Sequence, residues 1–420
     1  MKVRQIKRDN YLERLINKKN NGQVKVITGL RRVGKSYLMD PIFKNHLLDS
    51  GVPEDHIIKI ELDKRQNRIY KNPDELDRYI RNQIKDKKKY YILLDEIQLV
   101  QDFESVLNGF LYEKNLDVYI TGSNSKFLSS DIITEFRGRG DEIRVYPLSF
   151  KEFLSVNNGN KLDVLNEYMT YGGMPLVLDN KTHEEKRFYL DNLFNNTYLN
   201  DIVNRYNIQK PEVLSNLVDI LATSVGSLTN PTNLANSFKE NGYKDINNNT
   251  ISSYLNYLED AFLIKKVERY DIKGKKIITT PSKYYFTDIG IRNAKLNFRN
   301  QEQNHIMENI IYIELLRRGY SVDVGIVEKF DKDKSNKTTR KTYEVDFICT
   351  KGFDKYYIQV AYDINKEEKK QQEILPLTSR YDNFTKIIIV KDLLTPYKME
   401  NGIVVIDLIS FLLDENSLSL

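Results

Sequence analysis

The sequence has almost none of the residues that build disulfides and zinc sites. A single cysteine, Cys349, excludes a disulfide framework, and this low cysteine usage suits the cytoplasm. Four scattered histidines and that cysteine leave little material for a zinc site. No apolar run approaches the roughly 18 to 20 residues that span a bilayer, and the polar start MKVRQIKRDN lacks the apolar segment of a signal peptide. We therefore expect a cytoplasmic protein without a membrane partner.

A strong excess of charge of either sign is also missing. The formal net charge is +5, which is weak for 420 residues and permits a nucleic-acid partner without arguing for one. Hydrophobic residues make up 40% and charged residues 29% of the chain, as is typical of a soluble globular protein. A chain of this length is too long for one ordinary core, so we expect roughly two or three domains.

The most informative segment is VITGLRRVGKSYLMD, residues 26–40. It matches G-x-x-x-x-G-K-[ST] at every fixed position, between a predicted strand and a predicted helix. The glycines let backbone N–H groups turn inward around phosphates at a helix N-terminus. Lys35 would then reach the β- and γ-phosphates, and the Ser36 hydroxyl would bind Mg²⁺. The alternative is an ordinary strand–helix turn. The predicted nucleotide-binding residues of this loop are Gly29, Arg31, Arg32, Val33, Gly34, Lys35, Ser36 and Tyr37.

A second segment, KKYYILLDEIQLV at residues 88–100, complements the first. Its apolar run is typical of a buried parallel strand, and it ends on Asp95 and Glu96. In P-loop NTPases an acid at this strand end belongs to the magnesium site, which assigns Asp95 to Mg²⁺. Glu96 then stands where it can polarise the attacking water. A charged pair at the end of any strand is the alternative. Together the two segments predict ATP hydrolysis with ATP and Mg²⁺ as cofactors.

A third predicted strand, LDVYITGSN, ends on Ser123 and Asn124. In AAA+ proteins a polar residue at this strand end lies between the other two motifs and helps to hold the water and the γ-phosphate. Either residue can take that role, and we favour Asn124 as the catalytic one. The alternative is that these side chains cap the helix that follows.

The segment EFRGRGDEIRVYPLSFKEFL, residues 135–154, makes the resemblance specific. It resembles the bacterial and archaeal AAA+-type P-loop ATPases that carry a C-terminal domain of uncharacterised function. The matching positions are Gly138, Arg139, the YPLSF run at 146–150, Glu152 and Phe153. YGGMPLVL at 171–178 and LNDIVNRY at 199–206 also resemble this family. The resemblance covers nearly the whole chain.

The resemblance implies a role for Arg139, or in second place Arg137. Either would be an arginine finger or sensor that touches the γ-phosphate, a role that suits the forked donors of a guanidinium group. The alternative is a surface arginine that pairs with Asp141 or Glu142. A neighbouring subunit can supply such a finger, so a homo-oligomer stays open.

The middle of the chain predicts a winged helix after a polar helical connector. Two helices, a short turn between them and a two-stranded ribbon with Gly274 at its tip give this pattern. The predicted recognition helix, residues 249–262, contains Glu259 and Asp260 and neither Lys nor Arg, whereas DNA readers use basic residues on phosphates. Lys273, Lys275 and Lys276 in the wing could contact DNA phosphates. At the start of the predicted recognition helix, Asn247, Asn248 and Asn249 could offer amides to base edges. DNA reading and protein contact both stay open.

The C-terminal part resembles the restriction-endonuclease-like core. Glu308 on a helix and Asp346 on a strand match metal-binding acids of that core, and Gln359 occupies the place of its second strand acid. The match departs at Gln359-Val360-Ala361, because the amide binds Mg²⁺ weakly and Ala361 replaces the usual lysine. The resemblance therefore implies a possible degenerate nuclease site at Glu308, Asp346 and Gln359. We expect no robust cleavage of DNA by it.

We therefore predict an α/β chain. It has an AAA+-like P-loop NTPase core at 1–154, a helical connector or lid at 155–207, a winged helix at 208–300 and an α/β nuclease-like domain at 301–420. The leading hypothesis is an ATP-hydrolysing AAA+-like ATPase that couples nucleotide state to nucleic-acid binding, with DNA as the partner. The second is a regulatory ATPase whose C-terminal domains bind a protein. The third is an ATP-dependent nuclease.

Overall fold

The computed structural model describes residues 6–122, 140–299, 302–332, 338–378, 383–392 and 395–419. Its contacts divide the chain into two compact units. The first is Met1–Pro147 with Asp260–Phe262, and the second is Leu148–Glu259 with Leu263–Leu420. The predicted domain limits at 154, 207 and 300 stay predictions. Within the described residues, no helix combines the length and the apolar character that a membrane crossing requires.

The first unit is built on a parallel five-stranded sheet. Its strands are β1 (Val24–Thr28), β2 (Ile57–Glu61), β3 (Tyr90–Asp95), β4 (Leu116–Thr121) and β5 (Gly140–Arg144), in the order β2-β3-β4-β1-β5. Every residue of β1, β3 and β4 is buried, as expected of parallel strands covered on both faces. This confirms the predicted α/β character of the P-loop part. Strand β4 separates the strand of the glycine loop, β1, from the strand that ends on Asp95, β3.

Helices cover this sheet. They are Asp9–Asn17, Lys35–Tyr37, Lys44–Asp49, Pro73–Gln83 and Phe103–Leu111, with a π-helical segment Leu38–Phe43 and 3₁₀ turns Glu54–His56, Arg65–Lys71 and Ile97–Leu99. One apolar core joins the strands to the helices Pro73–Gln83 and Phe103–Leu111 through residues such as Ile92, Leu94, Leu107, Phe110 and Ile120. Because the strands are fixed from this face, the residues at their carboxyl ends are held in register.

The second unit begins with helices. They are Phe150–Ser155, Lys161–Tyr171, His183–Asn192, Asn200–Tyr206, Pro211–Thr223, Pro231–Glu240 and Asn248–Asp260, with a 3₁₀ turn Pro175–Asp179 and a π-helical segment Leu193–Leu199. Capping boxes start two of them, at Ser149 with Glu152 and at Thr182 with Glu185. The predicted recognition helix ends at Asp260, two residues earlier than expected, since Phe262 has a left-handed φ of 60° that helices do not accommodate.

An antiparallel hairpin follows these helices. It pairs β6 (Ile264–Asp271) with β7 (Lys276–Phe286), and Gly274 lies in the turn, where its N–H donates to Asp271. Thr229, which precedes the helix Pro231–Glu240, forms an isolated bridge to Ser282 on β7. The hairpin is therefore tied to the helices before it.

The hairpin belongs to a larger sheet that extends past residue 300. Its additional strands are β8 (Ser321–Lys332), β9 (Thr338–Lys351), β10 (Asp354–Ala361), β11 (Thr385–Val390), β12 (Tyr397–Lys398) and β13 (Val404–Asp407). Within the described residues, the eight strands have the order β12-β13-β11-β10-β9-β8-β6-β7, and the β6–β8 pairing joins the hairpin to the C-terminal strands. The remaining helices are Ile289–Lys295, Gln303–Arg317, Glu367–Thr378 and Leu408–Leu413. Strands β10, β11 and β13 are mutually parallel, so their carboxyl ends share one edge.

Candidate functional site

The loop after β1 has a backbone that only a few residue types tolerate. Gly29, Arg32 and Gly34 have φ values of 135°, 66° and 94°. A Cβ on Gly29 would lie 2.2 Å from the carbonyl oxygen of Val145, so no other residue fits there. Left-handed residues of this kind let successive backbone N–H groups face one anion. The loop therefore has the backbone that phosphate binding requires.

Lys35 is buried beneath this loop. Its Nζ donates hydrogen bonds to the carbonyl oxygens of Gly29 and Leu30, at 3.0 and 3.1 Å. Burial lowers the pKa of Lys35 to about 8, although the charges of Glu96 and Asp95 act in the opposite direction. Among the described residues its hydrogen-bond partners are both neutral, and a phosphate would give the ammonium a charged one.

The acidic end of β3 lies next to the loop. The Oδ1 atom of Asp95 accepts hydrogen bonds from the Ser36 hydroxyl, at 3.0 Å, and from the Thr121 hydroxyl. Burial raises the pKa of Asp95, and the two hydroxyls oppose that rise. Ser36 and Asp95 therefore meet as oxygen donors of the type that Mg²⁺ prefers, and they fit this ion.

Thr121 also positions Glu96. The Thr121 hydroxyl donates to Asp95 and accepts the backbone N–H of Glu96 at 3.0 Å, so one side chain holds both acids. Glu96 itself has a left-handed φ of 56°, and its carboxylate accepts from Gln98. Thr121 was not among the predicted site residues, because the predicted polar residues, Ser123 and Asn124, follow it by two and three positions. The signal was present, since Thr121 is the last residue of a buried strand.

The other predicted residues of this site have different outcomes. Val33 is buried, Tyr37 is half-buried, and Arg31 and Arg32 are exposed beside the loop. Asn124, Arg137 and Arg139 lie outside the described residues, so their roles stay predictions.

A second cluster lies in the second unit. It brings together the three residues that the nuclease-like resemblance implies: the backbone N–H of Asp346 donates to Gln359 Oε1 at 3.4 Å, and Glu308 lies close enough to Asp346 to influence its pKa. Burial raises the pKa of Asp346, and the charge of Glu308 raises it further. The Oδ2 atom of Asp346 accepts the backbone N–H of Val360 at 2.8 Å.

Lys283, which the sequence analysis missed, is the cation of this cluster. Its buried Nζ lies 3.0 Å from Glu308 Oε1 and 2.7 Å from Glu344 Oε1. Tyr285 also donates to Glu308 Oε1. Burial, the largest influence, favours the neutral form of Glu308, but Lys283, His305 and Tyr285 together hold the pKa of that carboxyl below its ordinary value. The sequence did carry a signal for this cation. Lys283 lies two residues before Tyr285 in a strand, and residues at that spacing share one face of the strand.

These residues do not fit a resident divalent metal. Glu308 Oε1 is already occupied by Lys283 and Tyr285, so a metal ion would have to displace an ammonium group. Over the part of the chain that the structure describes, no group of three or more His, Cys, Asp or Glu could hold a metal ion. Ala361, at the place of the usual lysine, packs in an apolar cluster with Ile374 and Leu377.

Comparisons with known proteins agree with the geometry of the first unit. Residues 21–154 match the model of the AAA domain, and residues 162–302 match a domain of unknown function, DUF8612. An uncharacterized protein of Haemophilus influenzae is 35% identical over 390 residues, which are 91% of this chain and 93% of that protein. An uncharacterized protein of Methanocaldococcus jannaschii is 31% identical over 391 residues, 88% of this chain and 80% of that one. The chain belongs to the AAA+ P-loop family.

Solved structures of AAA+ type show only a distant likeness. The Aeropyrum pernix ORC1 protein, solved in complex with DNA, is 12% identical at a TM-score of 0.29, over 70% of this chain and 93% of that one. A DNA polymerase III γ-subunit-related protein of Thermotoga maritima is 13% identical at a TM-score of 0.26, over 60% and 100%. Both TM-scores lie below 0.5, so we draw nothing from them about this AAA+ protein.

Thr121→Val tests the bridge between the two acids. Valine keeps the shape but removes the donor to Asp95 and the acceptor for the Glu96 N–H, which releases Glu96 from its position. We expect ATP turnover to fall about tenfold or more while nucleotide affinity changes little, because positioning errors near a reacting centre act on kcat. Steady-state turnover and nucleotide titration measure the two effects. Thr223→Val is the matched control, since its exposed hydroxyl bonds only to its own helix. Unchanged turnover in the Thr121 variant would refute the bridge.

Lys283→Met tests whether the second cluster is held by its ion pair. The change leaves Glu308 buried without its cation, which should lower the free energy of unfolding by about 3–5 kcal/mol. Adding Glu308→Gln should restore most of that loss, since the neutral amide needs no counter-ion. Urea unfolding measures both variants. Lys276→Met, an exposed position on the same strand, is the control. A Lys283 variant that unfolds like the parent protein would contradict the assignment.

Proposed function

We propose that this AAA+ protein binds ATP with Mg²⁺ and hydrolyses the terminal phosphate. The observation that carries the proposal is the meeting of the Ser36 hydroxyl and the Asp95 carboxylate at 3.0 Å beside a phosphate-binding loop. That arrangement combines a hydroxyl from the loop with an acid from another strand, as Mg²⁺-dependent phosphoryl transfer requires.

In the proposed mechanism Lys35 releases the carbonyls of Gly29 and Leu30 and binds the β- and γ-phosphates. Ser36 and Asp95 would hold Mg²⁺, which neutralises phosphate charge when bound. Glu96, fixed by Thr121, accepts a hydrogen bond from the attacking water and orients it. Asn124 and Arg139 are proposed to contact the γ-phosphate from the segment after β4.

Two substitutions separate binding from hydrolysis. Lys35→Ala removes the buried ammonium and should abolish nucleotide binding or turnover. Glu96→Gln keeps the shape of the site and should leave ATP bound while hydrolysis slows by about 10² or more, since a general base contributes on the order of 10²–10⁴. Nucleotide titration and phosphate release measure the two properties.

Glu113→Gln is the control for the second substitution, because this carboxylate bonds to the surface Arg81 of the same unit. Parental hydrolysis in the Glu96 variant would remove Glu96 from its proposed role. If the Lys35 variant binds nucleotide like the parent protein, the loop does not have its proposed role in nucleotide binding.

The biological coupling that we propose is to nucleic acid through a winged helix at 208–300. Support comes from the order of elements, since the helices Pro211–Thr223, Pro231–Glu240 and Asn248–Asp260 precede the β6–β7 hairpin. Lys273, Lys275 and Lys276 are exposed at its tip, where they can reach phosphates.

A protein partner is the second candidate, and two observations favour it. The helix Asn248–Asp260 offers no cation, and its Glu259 carboxylate pairs with Lys265 at 2.8 Å. On the hairpin, Ile277 is an apolar residue with 58% of its surface exposed, which a protein contact would cover. The nuclease alternative is disfavoured, since Lys283 occupies the acidic cluster.

Salt dependence separates DNA from a protein partner. If the wing binds phosphates, replacing Lys273, Lys275 and Lys276 by Ala should weaken DNA binding and lower the slope of log K against log salt by about 2–3. Fluorescence anisotropy of a labelled duplex at several salt concentrations measures the slope. Replacing the exposed Lys85, Lys87 and Lys88 of the first unit is the control. A slope equal in both triple variants, or a parent protein that does not bind the duplex, would favour the protein partner.

A further inference from the structure

The second unit has an open pocket at the carboxyl edge of its parallel strands. Its volume is about 250 Å³, and it is lined by Asn166, Met169, Thr170, Gln303, Ile306 and Lys391. Lys391 directly follows β11, and its backbone N–H donates to the carbonyl of Tyr362, which directly follows β10. In open α/β sheets ligands bind outside the carboxyl ends of the strands, so this is a place where a ligand is expected.

The charge of Lys391 lacks a carboxylate partner. Its side chain is 8% exposed, and Nζ donates to Gln303 Oε1 at 2.9 Å and to the Tyr362 hydroxyl at 3.4 Å. Across the described part of the chain, no Asp or Glu lies within ion-pair distance of this ammonium. Taking a charge out of water is unfavourable unless an opposite charge accompanies it. The third N–H of Lys391 is available to a ligand.

The other buried lysines of the described residues show what this pattern means. Lys25 pairs with Asp117, and Lys283 pairs with Glu308 and Glu344. Lys35 has only carbonyl partners, and it lies in the loop whose residues are built to receive phosphate. Lys391 shares the pattern of Lys35, not that of the two paired lysines.

The rest of the pocket offers further donors and little negative charge. The helix Gln303–Arg317 has no side-chain cap at its start, and its first residue lines the pocket, so the positive end of a 15-residue helix is nearby. Gln303 and Asn166 are exposed residues that line the pocket, and each carries a side-chain amide. Glu302, at the helix start, lies 3.4 Å from the His305 ring.

We propose that this pocket binds a phosphoryl oxyanion through Lys391, Gln303 and Asn166. The volume of about 250 Å³ is many times the about 10–15 Å³ that one water needs, and it admits one phosphate group with part of its hydration. A free phosphate or nucleotide and a backbone phosphate of nucleic acid share this chemistry. The site lies outside the P-loop and does not depend on the proposed hydrolysis.

Gln303→Glu is the sharpest test, because it places a carboxylate where Lys391 already donates. The full-length Lys35→Ala protein serves as the background, so that the P-loop lysine does not contribute. Inorganic phosphate, compared with chloride at equal ionic strength, should raise the Tm of this background protein by binding linkage. Gln303→Glu should remove that rise, since the new carboxylate neutralises Lys391. Gln209→Glu, an exposed position in the same unit, should keep it.

Lys391→Gln is the second variant and removes the charge directly. Phosphate affinity should fall about tenfold or more, as for the loss of one charge-assisted hydrogen bond, whereas Lys398→Gln on the exposed β12 should leave it unchanged. If the affinity of a labelled DNA falls instead, with a salt slope smaller by about one, the phosphate comes from nucleic acid.

The proposal is overturned if phosphate raises the Tm of the background and of both site variants equally, and DNA affinity is also unchanged. A background protein with no response to phosphate or DNA overturns it as well. ATP turnover of Lys391→Gln with Lys35 intact separates the two proposals, because that readout reports on the first unit. If Lys391→Gln hydrolyses ATP at the parental rate but no longer binds the anion, the result supports the pocket. If the parent protein does not hydrolyse ATP at all, only the proposed hydrolysis is refuted.

Discussion

The Thr121 hydroxyl is the contact on which the site of the first unit depends. It stands between a carboxylate that is buried and a neighbouring acid whose backbone is left-handed, and it satisfies both. A buried carboxylate keeps its charge only when donors surround it, and Ser36 and Thr121 are those donors for Asp95. Because β4 lies between β1 and β3, the hydroxyl that ends β4 reaches the acids that end β3. The order of the strands therefore places the Thr121 hydroxyl beside Asp95 and Glu96.

The local part of this site could be predicted from the sequence, since its requirements are local. Gly29 is needed because a Cβ would collide with Val145, and the spacing from it to Lys35 is set by the loop alone. Asn124 stays a prediction, and within the described residues the end of the third strand contacts the acids through Thr121. Which residue at the end of β4 contacts the acids depends on the register of β3 against β4, in which Leu94 lies opposite Ile120. Neither segment alone specifies this register, because it is set by pairing between distant parts of the chain.

The second unit shows the same limit more strongly. Resemblance located Glu308, Asp346 and Gln359, and the structure does bring them together. It could not locate Lys283, because that cation comes from a hairpin 25 residues before Glu308 and reaches it only through packing. The hairpin itself is joined to the C-terminal strands by the β6–β8 pairing, so the sheet continues past the predicted limit at residue 300. Sequence motifs alone therefore locate the acidic residues of this cluster but not the lysine that pairs with them.

Buried ammonium groups connect these observations. When a lysine is paired with a carboxylate, as Lys25 is with Asp117, the charge is already balanced and the pair serves the fold. When a buried lysine has only carbonyl, amide or phenol partners, its charge is not balanced by an opposite charge. An anion that binds there balances this charge and thereby stabilises the folded protein. Within the part of the chain that the structure describes, Lys35 and Lys391 are of the second kind. One lies in the loop for which we propose phosphate binding, and the same physical argument extends to the other.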